Sequence, residues 1–196
     1  MVMPKNISSS FNHVFILLDD VRLEQGFDLT TFVSIMKRNN LTAASPRIVG
    51  ATVTKGEEFR YIMDAKPENG TIGFRSSFVE IFAYVMTIPA YASLWQLLYP
   101  SINPYGWGYD LWYDCVAKKN NRDHSAGVIA TYTALHDQDL SKTERADNTD
   151  WPSKWEAVIQ QEKYYGHLFK IPLKKCREHF QAVTARKEGV LLGYLY

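Results

Sequence analysis

Segments with the pattern of strands alternate with segments with the pattern of helices through the first 140 residues of this 196-residue chain. A continuous apolar run, HVFILL at residues 13–18, is typical of a fully buried strand. Asp28 then precedes apolar residues at helical spacing, which predicts a capped helix over residues 29–38. Later patterns predict strands at 47–53, 59–63, 78–86 and 127–135, and helices at 89–98 and 109–118. This alternation predicts an α/β fold in which helices flank a mixed or mostly parallel sheet.

The pattern of alternating strands and helices does not continue through residues 141–196. Residues 141–150 are polar and charged, as in a linker or an exposed loop. Ser153 and Glu156 have the spacing of a capping box, which predicts a helix to about residue 165. Pro172 is suited to open a further helix. We therefore expect a core over residues 1–140, followed over residues 141–196 by a linker and a C-terminal helical extension.

Composition and charge narrow the classes of function. Hydrophobic residues make up 46% of the chain and charged residues 22%, as in ordinary globular proteins. The net charge of +1 shows no excess of basic residues, so the composition predicts no binding of nucleic acid. No apolar run is long enough to span a membrane, and the N-terminus lacks the pattern of a signal peptide. The compartment stays unknown, with a cytoplasmic location as the default, and the composition does not fix an oligomeric state.

The chain contains two cysteines, Cys115 and Cys176. Cys115 lies on the apolar face of a predicted helix, which is typical of a packed thiol. The two residues have neither the spacing of a zinc site nor the number expected of a disulfide framework.

Two acidic residues, Asp19 and Asp20, directly follow the first predicted strand. A strand that delivers two carboxylates to the edge of a sheet can form a site for Mg²⁺ or Mn²⁺, which bind carboxylate and phosphate oxygens. The alternative is an ordinary turn, in which aspartate is common.

The segment NPYGWGYD, residues 103–110, places Trp107 between two glycines and Asp110 at the start of a predicted helix. Gly106 and Gly108 allow positive φ and close approach of the backbone to a ligand. Trp107 could stack on a sugar ring, and the helix dipole would keep the Asp110 carboxylate ionised. Alternatively, Asp110 only caps the helix and Trp107 fills the core.

Two further ionisable residues stand out. His136 directly follows the predicted strand GVIATYTAL, where it could bind a metal or a phosphate, although a lone histidine is more often structural. Glu80 lies within the apolar segment SFVEIFAYV. A buried carboxylate is costly unless it is paired, so Glu80 either faces a cleft or meets a partner such as Arg75.

Taken in order, four segments within residues 11–138 resemble a family. They are FNHVFILLDDV, FDLTTFVSIMKRNNLTAASPRI, SFVEIFAYVMTIPAYASLW, and YGWGYDLWYDCVA followed by AGVIATYTALHDQ. The family is the uncharacterised, glycosyltransferase-like DUF707 type, related to nucleotide-sugar transferases of the GT-A fold. The resemblance implies a GT-A-like mixed sheet and a metal-dependent glycosyltransferase that uses a nucleotide-sugar donor and a hydroxyl acceptor.

The resemblance also implies roles for individual residues. Asp20 and Asp19 match the last and middle positions of the family's metal-binding Asp-x-Asp motif, and His136 matches its downstream metal or diphosphate contact. Asp110 matches the catalytic base. Trp107, Glu80 and the two glycines that flank the tryptophan would lie on the acceptor side. Mn²⁺ or Mg²⁺ would be the cofactor.

Two departures from the family pattern suggest an alternative. Leu18 occupies the position of the first acid of the motif. Only about 18 residues precede the motif here, whereas a complete GT-A domain places a nucleotide-binding β-α-β region there. The resemblance therefore predicts a core that lacks much of this N-terminal half. The alternative function is a catalytically decayed carbohydrate-binding or scaffold protein.

Overall fold

A computed structural model describes residues 10–49, 70–76, 79, 82–99, 101–104, 108–120, 123–136, 151–170 and 188–191. In this part of the chain, four helices accompany one sheet of seven strands. The strands are β1 His13–Leu17, β2 Val21–Leu23, β3 Ala43–Val49, β4 Gly73–Arg75, β5 Ala83–Thr87, β6 Ala126–His136 and β7 Glu188–Leu191. The helices, numbered here in chain order, are α1 Leu29–Arg38, α2 Ile88–Leu97, α3 Tyr109–Asn120 and α4 Trp151–Phe169.

The sheet is mixed, with strand order β1-β5-β3-β6-β4-β7, and β2 pairs with β6 outside this path. Among the described pairs only β3 and β6 run parallel; the remaining pairs are antiparallel. The predicted α/β class with a mixed sheet is therefore confirmed. The long strand β6 is the centre of this arrangement because it pairs with β2, β3 and β4.

Helices cover both faces of the sheet. Consecutive residues of a strand point to opposite faces, and Tyr84 and Val85 of β5 accordingly belong to two different clusters of buried residues. The Tyr84 side packs against residues of α2, α3 and α4, and the Val85 side packs against α1. A third, smaller cluster of buried side chains contains Val21, Ile48, Ala83 and Ala134. It lies where β1 and β6 end.

Several predicted boundaries agree closely with the structure. Strand β1 and helix α1 lie where the sequence placed them, and the Asp28 side chain accepts hydrogen bonds from the backbone amides of Thr30 and Thr31 as the predicted cap. Pro89 lies in the first turn of α2, behind a Thr87 cap. Helix α3 and strand β6 match their predictions within two residues at either end.

Other boundaries were wrong. Strand β3 begins at Ala43 rather than at Arg47, and the described part of the strand predicted at 78–86 begins at Ala83. Helix α4 begins at Trp151, so Ser153 lies inside its first turn and does not cap it. The predicted strand at 59–63, the linker at 141–150 and the helix from Pro172 lie outside the described residues.

The C-terminal elements join the same sheet and core. Tyr165 of α4 is fully buried, and strand β7 pairs with β4. Cys115 corrects a prediction: it is disulfide-bonded rather than a packed thiol. The chain has one other cysteine, Cys176, which lies outside the described residues. None of the helices in the described part of the chain combines the length and the apolar character needed to cross a bilayer.

Candidate functional site

Asp20 and His136 meet because the short strand β2 pairs with the last residues of β6. After β1 the chain turns, with the Val21 amide donating to the Leu18 carbonyl at 3.2 Å, and then runs antiparallel to β6. In this register Val21 lies opposite His136. Asp20, the residue before Val21, is therefore delivered to the end of β6 where His136 lies.

The two side chains are in hydrogen-bonding contact. His136 Nε2 lies 2.9 Å from Asp20 Oδ2, and the side chains are only 10% and 22% exposed. A carboxylate oxygen accepts, so the imidazole Nε2–H donates and, in the neutral ring, leaves a lone pair on Nδ1. Pairing explains how an aspartate and a histidine are tolerated in a largely buried position.

The other polar atom of each side chain has no such partner. Asp20 Oδ1 and His136 Nδ1 are both buried, and neither has a hydrogen-bond partner in the part of the chain that the structure describes. Burying such atoms without a partner costs free energy, so native proteins usually satisfy them with protein, water or an ion. The pair thus offers one carboxylate oxygen and one imidazole nitrogen to a ligand.

Phe82 completes the surroundings of the pair. Its ring stacks on the His136 imidazole with 4.6 Å between ring centroids and 22° between planes. Its carbonyl accepts a hydrogen bond from the Leu18 amide at 2.9 Å. The sequence analysis missed this residue because it is one more apolar side chain in an apolar run. Only the register of the strands brings it to His136.

Asp19 occupies the turn between β1 and β2 and is exposed. Among the described residues no three histidine, cysteine, aspartate or glutamate side chains are grouped closely enough to hold a metal ion. Asp19 therefore does not extend the Asp20–His136 pair to a set of three ligands. Any cation at this pair would take its remaining ligands from water or from a bound phosphate.

Asp110 lies on a different element, in the first turn of α3, and is half-buried. Its charge is one of those that raise the pKa of the Tyr84 phenol, after burial, Tyr113 and Asp114. Asp110 is therefore on the Tyr84 side of β5, the face of the sheet that α2, α3 and α4 cover. Gly108 adopts φ 86°, the conformation expected for a glycine at this bend. Gly106, Trp107 and Glu80 lie outside the described residues.

The suggested partner of Glu80 is engaged elsewhere. The Arg75 guanidinium donates to the Ser125 hydroxyl and to the Asn39 carbonyl. Arg75 thereby links the end of α1 to the residue that precedes β6.

A second buried histidine pair lies at the opposite end of β6. His124 Nε2 is 3.4 Å from Asp114 Oδ1, and His124 Nδ1 is 3.2 Å from the Thr42 hydroxyl. Lys118 adds an ion pair to Asp114 at 2.9 Å. The His124 side chain is completely buried, and the Thr42 hydroxyl is already bonded to the backbone of Ser125. This cluster joins α3 to the sheet.

Comparison with known proteins gives one result. A family model, described as "Protein of unknown function (DUF707)", matches residues 2–179. No curated protein and no solved structure matches the chain. The family description states no activity, so the relation to glycosyltransferases stays a prediction.

Proposed function

This chain belongs to the DUF707 family, and we propose that it is a metal-dependent glycosyltransferase that moves a sugar from a nucleotide-diphosphate donor to an acceptor hydroxyl. The observation that carries the proposal is the contact of Asp20 with His136 at the ends of β1 and β6. In open α/β sheets, ligands bind beyond the ends of the strands. An Asp–His pair at such an end is suited to a phosphate-bound divalent cation.

The pair fits Mg²⁺ or Mn²⁺ by the spacing of its two facing atoms. Two neighbouring ligands of an octahedral ion, each at about 2.1 Å, are separated by roughly 3.0 Å. Asp20 Oδ2 and His136 Nε2 are 2.9 Å apart, close to that separation, so both atoms could bind an ion that replaces the proton between them. Asp20 Oδ1 and His136 Nδ1, which are buried and have no hydrogen-bond partner among the described residues, would remain for water or for further ligands.

When bound, the cation neutralises the diphosphate leaving group and orients it. Asp20 and His136 would hold it, and Asp19, exposed in the adjacent turn, would add negative charge beside it. Two protein side chains are few ligands for a divalent cation. Mg²⁺ nevertheless often takes one or two carboxylates and fills its remaining positions with waters and substrate phosphates.

Asp110 would act as the general base. A carboxylate in the first turn of a helix is stabilised by the helix dipole. It would accept the proton of the acceptor hydroxyl while the hydroxyl oxygen bonds to the anomeric carbon. The bond from that carbon to the diphosphate oxygen breaks, and the diphosphate leaves with its electron pair. Trp107, Gly106 and Glu80, which lie outside the described residues, would contact the acceptor, with Gly108 shaping the bend.

The test is ligand-dependent stability followed by turnover. We expect Mn²⁺ together with one member of a set of nucleotide sugars to raise the melting temperature, and EDTA to reverse the effect. The same donor should then be consumed in the presence of a glycan or other hydroxyl acceptor. If no donor shifts the melting temperature at millimolar concentration with Mn²⁺ present, the proposal is contradicted.

Leu18 favours a second candidate, a decayed carbohydrate-binding or scaffold protein. It stands where the family motif has its first acid, and it is 36% exposed beside the proposed site. Glycan binding that is indifferent to EDTA, without consumption of any donor, would identify this function instead.

A further inference from the structure

We infer that Phe82 is a positioning residue that fixes the orientation of the His136 imidazole and the position of the turn that carries Asp20. The inference deepens the proposed function and rests on it for its consequence in metal binding. The part of the inference that concerns the positions of Phe82, His136 and Asp20 does not depend on any ligand.

The first observation is the ring stack. Phe82 and His136 lie nearly parallel, at 22°, with centroids 4.6 Å apart. A face-to-face neighbour restricts rotation of the imidazole about its side-chain bonds, because most other ring positions would clash with the phenyl group or lose the contact. The stack thereby holds the plane of the ring, and the bond to Asp20 holds Nε2 toward the carboxylate with Nδ1 on the other side.

The second observation is the backbone bond of the same residue. The Phe82 carbonyl accepts from the Leu18 amide at 2.9 Å, directly beyond the last residue pair of the β1–β5 ladder, Leu17 with Ala83. This bond holds the chain two residues before Asp20. Phe82 therefore contacts His136 through its ring and, through its backbone, the turn that carries Asp20.

The third observation is the packing around the ring. Phe82 packs against the small cluster that contains Val21, which follows Asp20, and Ala134, which precedes His136 by two residues. Side chains that fix the ligands of a metal are typically worth about 10- to 100-fold in metal affinity. We expect Phe82 to have an effect of this size although it offers no ligand atom itself.

The experiment compares three variants: Phe82→Leu, Phe82→Tyr as the conservative variant that keeps the ring, and Phe74→Leu as a control. Phe74 is a partly buried phenylalanine packed against the same cluster. Nitrogen-15 NMR of the histidine side chains gives the proton position and environment of His136 without any ligand. Mn²⁺ titration gives the affinity, and thermal unfolding shows that each variant folds.

In the wild type we expect a single His136 tautomer with the proton on Nε2. Phe82→Leu should give a mixture of tautomers and at least about a tenfold loss in Mn²⁺ affinity, whereas Phe82→Tyr and Phe74→Leu should retain both wild-type properties. An unchanged tautomer in Phe82→Leu, or an equal loss in Phe74→Leu, would overturn the inference. If the wild type binds no Mn²⁺, the proposed function fails, while the histidine spectra still decide the role of Phe82.

Discussion

His136 Nε2 lies 2.9 Å from Asp20 Oδ2, although 116 positions separate the two residues in the chain. The contact is made by strand pairing, since Val21 is the register partner of His136. A slip of one residue of β2 along β6 would turn the side chains of β2 to the opposite face of the sheet and remove Asp20 from its place beside His136. The pair is therefore a property of the β2–β6 register as much as of its two side chains.

The role proposed for Asp110 predicts that Asp110→Asn abolishes transfer while donor binding survives. The amide has nearly the shape of the carboxylate but cannot accept the acceptor proton. A lost general base typically lowers the rate by about 100- to 10,000-fold. Initial rates, with donor affinity measured separately by calorimetry, check this prediction.

The matched control for this change is Asp123→Asn. Asp123 is an exposed aspartate just before β6, at the far end of that strand from His136. It should retain the wild-type rate. Equal activity in Asp110→Asn and the wild type would remove Asp110 from the role of base.

A buried series of hydrogen bonds, from Asn103 through Gln161 to Tyr165, predicts that Gln161→Ala destabilises the protein. Gln161 accepts from Asn103 Nδ2 at 3.1 Å and donates to the Tyr165 hydroxyl at 2.8 Å, and it is 1% exposed. Truncation leaves buried polar groups unsatisfied, which costs about 1–3 kcal/mol. Urea unfolding measures the change. Gln160 is an exposed neighbour on the same helix. If Gln161→Ala lowers the free energy of unfolding no more than Gln160→Ala does, the hydrogen bonds of Gln161 do not stabilise α4.

Buried tyrosines predict a loss of stability at alkaline pH. Burial raises the pKa of Tyr84, Tyr113 and Tyr165 above the ordinary value of 10.0. The unfolded chain therefore releases these phenolic protons at a lower pH than the folded protein does. The free energy of unfolding keeps its full contribution from these tyrosines below pH 10.0 and loses it as the pH rises above that value. Urea unfolding across this range, with phenolate absorbance recorded in parallel, measures the effect.

Tyr113→Phe separates this effect from general alkaline damage. The variant loses the hydrogen bond from the Tyr113 hydroxyl to the Ala90 carbonyl at 3.1 Å, and it also loses one titrating group. Its stability should consequently fall less steeply with pH. Phenolate absorbance that develops fully in the folded protein, with no change in stability, would contradict the prediction.

The disulfide at Cys115 predicts that the oxidised protein contains no free thiol, because the chain has two cysteines in total. Reduction should lower the melting temperature, since a disulfide is typically worth about 2–4 kcal/mol. Thiol titration under denaturing conditions gives the count. Cys115→Ser should expose one reactive thiol per chain, whereas two thiols in the untreated wild type would show that the bond does not form.

Local signals explain which parts of the fold could be predicted. The Asp28 cap and the apolar spacing of α1 act within a few residues, and the predicted helix agrees with the structure. Strand β3 begins at Ala43, before the predicted start at Arg47, and Pro46 is a residue whose local signal argues against a central strand. The structure accommodates Pro46 at a register shift between β3 and β6, a feature set by the neighbouring strand.

The residues of the candidate site likewise divide into those that the sequence could predict and those that it could not. Asp20 and His136 could be selected because each follows or ends an apolar strand, and strand ends are where ligands bind. Phe82 could not be selected, because its role depends on the register of β1 with β5 and on the ring of a residue far along the chain. Strand β7 and the disulfide at Cys115 are likewise long-range features with no local signal in the sequence.

The most direct measurement of the central claim is electron spin-echo spectroscopy of Mn²⁺ bound to the protein in the presence of a nucleoside diphosphate. We predict modulation from a directly coordinated imidazole nitrogen, lost in His136→Gln, together with weaker Mn²⁺ binding in Asp20→Asn. His124→Gln, at the other end of β6, should leave the signal unchanged. A protein that binds no Mn²⁺ under these conditions, or a nitrogen signal that survives in His136→Gln, would contradict the account.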